Sequence, residues 1–122
     1  MAKLIKLRTH HDHRGSLTVI EKELPFPIRR VFYIYDVDDS VRGGHRHKIT
    51  EQAAICIKGS CVIFCTNNGK EEEFLLDNPE KCLILYPEDW HKMHSFSPDA
   101  VLLVLASEPY DPNDYITELD RV

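Results

Sequence analysis

The sequence predicts an all-β domain that closes as a jelly-roll barrel. Short apolar segments rich in Val, Ile, Phe and Tyr recur at close intervals along the chain. Clusters of Gly, Pro, Asn and Asp separate them, and no 3.6-residue hydrophobic period lasts the length of an ordinary helix, apart from one candidate turn near 111–119. Several strands with hairpin turns must stack or close, because otherwise their apolar faces stay wet.

Seven strands follow in order. The first, at 16–21, leaves a turn at Arg14-Gly15, and the second, at 28–37, begins after Pro25 and Pro27 have broken the chain. Strands at 51–58 and 60–67 meet at the sharp turn Lys58-Gly59-Ser60. Asn67-Asn68-Gly69-Lys70 is a tight-hairpin sequence, since Asn and Gly both tolerate positive φ, and it leads into 71–76. The acidic run Glu71-Glu72-Glu73 reads as an exposed edge that discourages aggregation. Strands at 81–86 and 100–106 complete the set, with Pro87, Pro98, Pro109 and Pro112 marking loops.

Size and charge narrow the function. A chain of 122 residues makes one domain, 1–122. It buries about two-thirds of its unfolded surface, so it needs neither disulfides nor a structural metal to fold. The net charge of −5 repels polyanions and argues against nucleic-acid binding. No run approaches a membrane span, and Met1–Leu7 lacks the apolar core of a signal peptide, so the expected location is cytoplasmic with no membrane partner. Cys56, Cys61, Cys65 and Cys82 lie in apolar strands without a C-x-x-C pair and read as small core residues.

Chemistry concentrates in Arg42-Gly43-Gly44-His45-Arg46-His47. Residues two apart on a strand share a face, so His45 and His47 project together while Arg46 points away. Two imidazoles in one pocket suit a metal or proton transfer near neutrality. The Gly-Gly lead-in permits a ligand to approach the backbone, and Arg42 beside it suits a phosphate. In Trp90-His91-Lys92-Met93-His94 an indole and an imidazole offer a stacking surface with a polar tip. Tyr33 and Tyr35 share one face of their strand, where their hydroxyls can move protons or simply pack. His10-His11-Asp12-His13 has the look of a metal tract, but near a terminus it reads as solvated.

Together these residues resemble the cupin superfamily, and within it the WxcM-like sugar 3,4-ketoisomerases. The resemblance runs from about Leu4 to Ile116 through Arg14-Gly15-Ser16-Leu17, Arg29-Arg30-Val31-Phe32-Tyr33-Ile34-Tyr35-Asp36, the Arg42–Lys48 run, Trp90-His91-Lys92-Met93 and Asp114-Tyr115-Ile116. It implies isomerisation of a thymidine diphosphate (TDP)-linked 4-oxo-6-deoxy sugar to the 3-oxo sugar. The expected route is enolisation with no metal and no cofactor, ahead of a transaminase that makes 3-amino-3,6-dideoxy sugars for surface glycans. It makes His47 the main base, His45 the group that polarises the oxygens or shuttles the hydroxyl proton, and Tyr33 a supporting candidate. Arg42 and Arg30 would hold the diphosphate, with Trp90 and Tyr35 as further substrate contacts. Arg14 and His91 would lie near the sugar, a combination that resembles the branch giving the galacto product. The resemblance also implies a homodimer, with N-terminal strands exchanged.

Three positions depart from the family pattern: Phe32 stands where Tyr is usual, Lys92 where Glu is usual, and Arg46 where a small residue separates the histidines. Two other functions compete. A metal-dependent cupin would use the histidines, yet Gln52 stands where an anionic ligand belongs. A non-catalytic sugar-nucleotide binder would use the same pocket without proton exchange.

Overall fold

A computed structural model describes residues 1–118 and is built almost wholly of antiparallel strands. They are β1 (Lys3–Lys6), β2 (Arg8–Asp12), β3 (Gly15–Val19), β4 (Arg30–Tyr35), β5 (Arg42–His47), β6 (Gln52–Lys58), β7 (Cys61–Asn67), β8 (Lys70–Leu76), β9 (Lys81–Leu85), β10 (Trp90–His94), β11 (Val101–Ala106) and β12 (Tyr115–Ile116). One sheet runs β1-β9-β6-β11-β4 and the other β12-β5-β10-β7-β8, while β2 and β3 pair only with each other. The expected all-β cupin-type jelly roll is what the chain forms. Among the described residues, no helix is long and apolar enough to cross a membrane.

The two sheets enclose the main core. Ala54, Cys56, Ile63, Cys65, Leu83, Leu85, Met93, Leu102 and Val104 meet there, each at most 5% exposed. A second cluster, of Leu7, Phe26, Ala53, Ile55, Cys82, Ile84 and Leu105, lies on the outer face of the first sheet beneath the N-terminal segment. β6 therefore contributes alternate residues to both clusters, which explains why Ala53-Ala54-Ile55-Cys56 is continuously apolar rather than alternating. Full burial of Ile55 alone contributes about 2 kcal/mol. The four cysteines are buried and free. Burial pushes the thiols of Cys65 and Cys82 up to about 12, so they remain protonated and inert.

Every strand expected from the pattern is present within a few residues of its predicted bounds, and several others join them. β1, β2, β5, β10 and β12 are short or polar; neighbours in the sheets, not apolar periodicity, define them. β1 is an edge strand on β9. The His10–His13 tract belongs to the β2–β3 hairpin, where the His11 Nδ1 meets the Ser16 hydroxyl at 2.6 Å. The candidate turn near 111–119 reduces to a 3₁₀ turn at Pro112–Asp114, and Leu119 lies outside the described residues.

Two turns follow the sequence closely. Asn68 and Gly69 both have positive φ, 52° and 79°, as a tight hairpin requires. Gly59 has φ +70°, and a Cβ there would lie 2.8 Å from the Ala100 Cα and 2.3 Å from the Ser97 Oγ. The Ala100 backbone cannot yield cheaply, so Gly59→Ala combines a left-handed side chain with a clash. The expected cost is about 3 kcal/mol, lowering the thermal midpoint by ~10 °C in calorimetry; an unchanged midpoint would show that the turn relaxes freely.

Candidate active site

β5 lies between β10 and β12, and these two pairings build the site. His45 stands opposite His91 on β10, and His47 stands opposite Tyr115 on β12. Residues directly opposite in an antiparallel pair share a face, so all four rings gather on the inner side of the sheet. The His45 ring centroid is 4.9 Å from that of His47, 5.0 Å from that of His91 and 4.7 Å from that of Tyr115. Tyr115 is also 4.7 Å from His47.

Corner hydrogen bonds fix the cluster. The Asp114 carboxylate accepts from the Lys48 and Ile49 backbone N–H groups, at 3.1 and 2.9 Å, and from the Thr50 hydroxyl. The chain leaving His47 is thereby tied to the residue before Tyr115. Burial alone would push the Asp114 carboxyl up, but the bonds from Thr50 and Ile49, with His47 nearby, hold it below the usual carboxylate range. On the other side, Asp89 is fully buried and accepts from Asn67 Nδ2 and the Tyr86 N–H, closing the turn that feeds β10. His47 N–H donates to Pro87 O in that same turn, at 2.9 Å.

His47 and His91 are buried and His45 is half-buried, and burial sets the charge of the cluster. Burial, with a smaller contribution from His45, drives the His47 imidazole down to about 4 despite the opposing Asp114 charge. Burial likewise takes His91 down to about 3, and lowers His45. All three are neutral at pH 7. The Nδ1 of His91 lies 3.1 Å from Asp89 O, which only accepts, so the proton sits on Nδ1. That leaves Nε2 a buried acceptor without a protein partner among the described residues. Gln52 Oε1, at the barrel-facing end of β6, is another.

Arg30 stands at the head of β4, opposite Ala106, on the same inner face as Phe32. Its guanidinium lies over the Phe32 ring at 4.6 Å and the Tyr110 ring at 5.1 Å, without a carboxylate partner among the described residues. Arg42 pairs with Met93, and a bulge between the Lys92–Gly43 and His91–His45 pairs leaves Gly44 over. One extra residue reverses the alternation, so Arg42 shares a face with His45 although the two are three positions apart. Gly43 is needed for this close approach, since a Cβ there would lie 3.1 Å from His91 O.

Four expected site residues fall elsewhere. Tyr33 and Tyr35 stack on each other at 5.9 Å on the outward face of β4, 63% and 57% exposed, because Phe32 and Ile34 take the core-facing positions. Alternation on β4 holds as expected; the face that turns inward is the other one. Trp90 alternates with His91 and so lies on the outer side of its sheet, against Phe64, with its Nε1 donating to Thr117 O at 3.3 Å. Arg14 sits at the tip of the β2–β3 hairpin, paired with Asp12 at 2.6 Å, away from the histidines of its own chain. Of the three unusual residues, only Phe32 faces the site. Lys92 lies outside over the Phe64 ring, and Arg46 pairs with Ile116 on the outer side of β5. Conversely, Tyr115, Asp114 and Tyr110 belong to the site. They sit in a polar C-terminal stretch, and no local periodicity marks them.

The donor set does not suit a cupin metal. Gln52 offers a neutral amide where a carboxylate is needed, and among the described residues no His, Cys, Asp or Glu side chains group as a set of three ligands. A jelly roll that gathers imidazoles and a phenol at one end of its barrel is a cupin. Residues 1–122 match the model of the FdtA family, described as WxcM-like, C-terminal, and the chain belongs to that family. It is 44% identical, over 98% of its length and 88% of the relative's, to the TDP-4-oxo-6-deoxy-alpha-D-glucose-3,4-oxoisomerase of Aneurinibacillus thermoaerophilus. A Thermoanaerobacterium thermosaccharolyticum 3,4-ketoisomerase variant, solved with TDP-4-keto-6-deoxyglucose, superposes with a TM-score of 0.94 at 41% identity, covering 98% of this chain and 89% of that one. The TDP-quinovose 3,4-ketoisomerase of Campylobacter jejuni gives 0.93 at 42% identity, covering 98% and 95%.

The buried histidines make the fold acid-sensitive. Their folded pKa values, about 4 and 3, lie below the ordinary 6.5. Between those limits the unfolded chain binds more protons, so stability rises with pH and is lost as pH falls from about 6.5 towards 4. The thermal midpoint is expected to drop steadily across that window, and a flat profile would mean that the imidazoles are already solvated in the folded protein.

Proposed function

We propose that this protein is a sugar-nucleotide 3,4-ketoisomerase that converts TDP-4-oxo-6-deoxy-glucose into the 3-oxo sugar by acid–base enolisation, with no metal or cofactor. The observation that carries this is the convergence of three neutral imidazoles on one barrel face. A neutral imidazole accepts a proton, and the C3 hydrogen beside the C4 carbonyl is acidic enough to give one. His47 removes it; the enediol spans C3 and C4; the proton returns at C4. His45 polarises the sugar oxygens. The empty His91 Nε2 acceptor takes a sugar hydroxyl, which satisfies a buried polar atom that otherwise has no partner. Arg30 and Arg42 supply positive charge for the diphosphate against the −5 background.

The same reading extends to the surroundings. An isolated two-stranded hairpin is marginal in water, and here β2–β3 carries Leu17 60% exposed while β4 exposes Val31, Tyr33 and Tyr35. Exchange of the hairpin within a homodimer covers these surfaces and carries Arg14 towards the partner's sugar site. With Arg14 and His91 together, the favoured product is galacto. The reaction would occur in the cytoplasm and feed 3-amino-3,6-dideoxy sugars for surface glycans.

Proton NMR of TDP-4-oxo-6-deoxy-glucose with metal-stripped protein in deuterated water tests the reaction. Conversion to a 3-oxo sugar is expected, with deuterium at C4 where the proton on His47 exchanges with solvent before it returns; the same reaction in ordinary water keeps a proton at C4, whose coupling reads out galacto against gluco. His47→Asn is expected to lose at least ~10²-fold in kcat while keeping its affinity for TDP; full turnover in that variant removes His47 as the base. Light scattering after size exclusion is expected to give twice 14.2 kDa, and a clean monomer would end the hairpin-exchange proposal.

A further inference from the structure

Moving the carbonyl from C4 to C3 requires two proton transfers, one between carbons and one between oxygens. His47 accounts for the first. The second needs a group that holds a proton at neutral pH, gives it to O4 and takes one from O3.

Around the cluster the choices are few. His47 is occupied with the carbon-bound proton, His91 turns its one ring proton to Asp89 O and presents only the acceptor Nε2, and His45 keeps its N–H as the donor that polarises the sugar oxygens. Arg30 does not release a proton. Asp114 is ionised and engaged by three donors. Tyr110 is 63% exposed, and its ring is 5.8 Å from Tyr115. Tyr115 remains. Its ring is 4.7 Å from both His45 and His47, and its register opposite His47 aims it into the same face. Its hydroxyl makes no hydrogen bond to the protein among the described residues, while its backbone N–H donates to Pro112 O. The Asp114 carbonyl accepts from the Lys48 N–H at 3.0 Å, tying β12 to the end of β5. The ring is fixed and its polar end is free.

We infer that Tyr115 is a catalytic residue, the carrier of the proton that passes between the two sugar oxygens. This rests on the isomerase reading above. In the first half-reaction the C3–H bond breaks, its proton goes to His47, its electron pair becomes the C3–C4 double bond, and O4 takes the phenol proton. In the second, the phenolate takes the proton from O3, the C3 carbonyl forms, and the double-bond pair takes the proton of His47 at C4. Hydrogen has moved from C3 to C4 and from O3 to O4, and both side chains are restored.

Tyr115→Phe keeps the ring and removes only the carrier. Its kcat on TDP-4-oxo-6-deoxy-glucose is expected to fall about a hundredfold or more, with KM within about threefold and the thermal midpoint unchanged. A fluorinated tyrosine at position 115, with a more acidic phenol, is expected to move the alkaline limb of kcat to lower pH. The groups around that phenol are His45, His47, Tyr110 with Arg30 over its ring, and Asp114; burial lowers both imidazoles, away from that limb. Full kcat in the Phe variant of an active enzyme overturns the inference, as does a loss of kcat with an unmoved limb in the fluorinated protein. An inactive wild type overturns the isomerase reading and this inference with it.

Discussion

The site depends on the pairing of β5 on both its edges. β10 fixes His45 against His91, β12 fixes His47 against Tyr115, and strand alternation turns all four rings to one side. A slip of one residue on either edge would turn His91 or Tyr115 away from the His45–His47 pair. The Gly43-Gly44 bulge and the Asp114 corner matter for this reason: one sets the register at the start of β5 and the other at its end.

Holding histidines in such a place has a cost that the protein meets by keeping them uncharged. The barrel interior grades from the apolar cluster of Met93, Leu85 and Val104 to a polar end where Gln52, His91 and the His45–His47 pair stand. Protonating an imidazole there would leave a buried charge, so neutrality comes from burial rather than from a partner. The two buried carboxylates do other work. Asp89 and Asp114 bind backbone N–H groups at the corners and hold the turns from which His91, His47 and Tyr115 project. One burial has two consequences: it keeps the histidines neutral, and it is expected to make the fold sensitive to acid.

How much of this was legible in the chain varied with the kind of signal. Hairpins at Asn68-Gly69 and Gly59 announced themselves because positive φ restricts residue choice. The His45–His47 pair was legible because alternation is a property of any strand. Tyr33 misled for the same reason: alternation separates it from Phe32 but does not say which of the two turns inward, and on β4 the core takes Phe32 and Ile34. Trp90 was drawn in by its neighbour His91, from which alternation separates it. Tyr115 lies in a run that carries the family resemblance, but a two-residue strand after a turn has no periodicity to give it a role.

The sequence by itself determined the class of fold, the turns, the apolar strands, the imidazole pair and the family resemblance. Each of these rests on local rules: turn chemistry, a period of two, and residue types in order. Tertiary structure decided which face of β4 enters the core and brought His91 and Tyr115 to a pair that lies 46 and 70 residues away from them at most. It also decided that all three imidazoles are neutral. Those outcomes depend on partners distant in the chain and on exclusion of water, and neither is a property of any single segment.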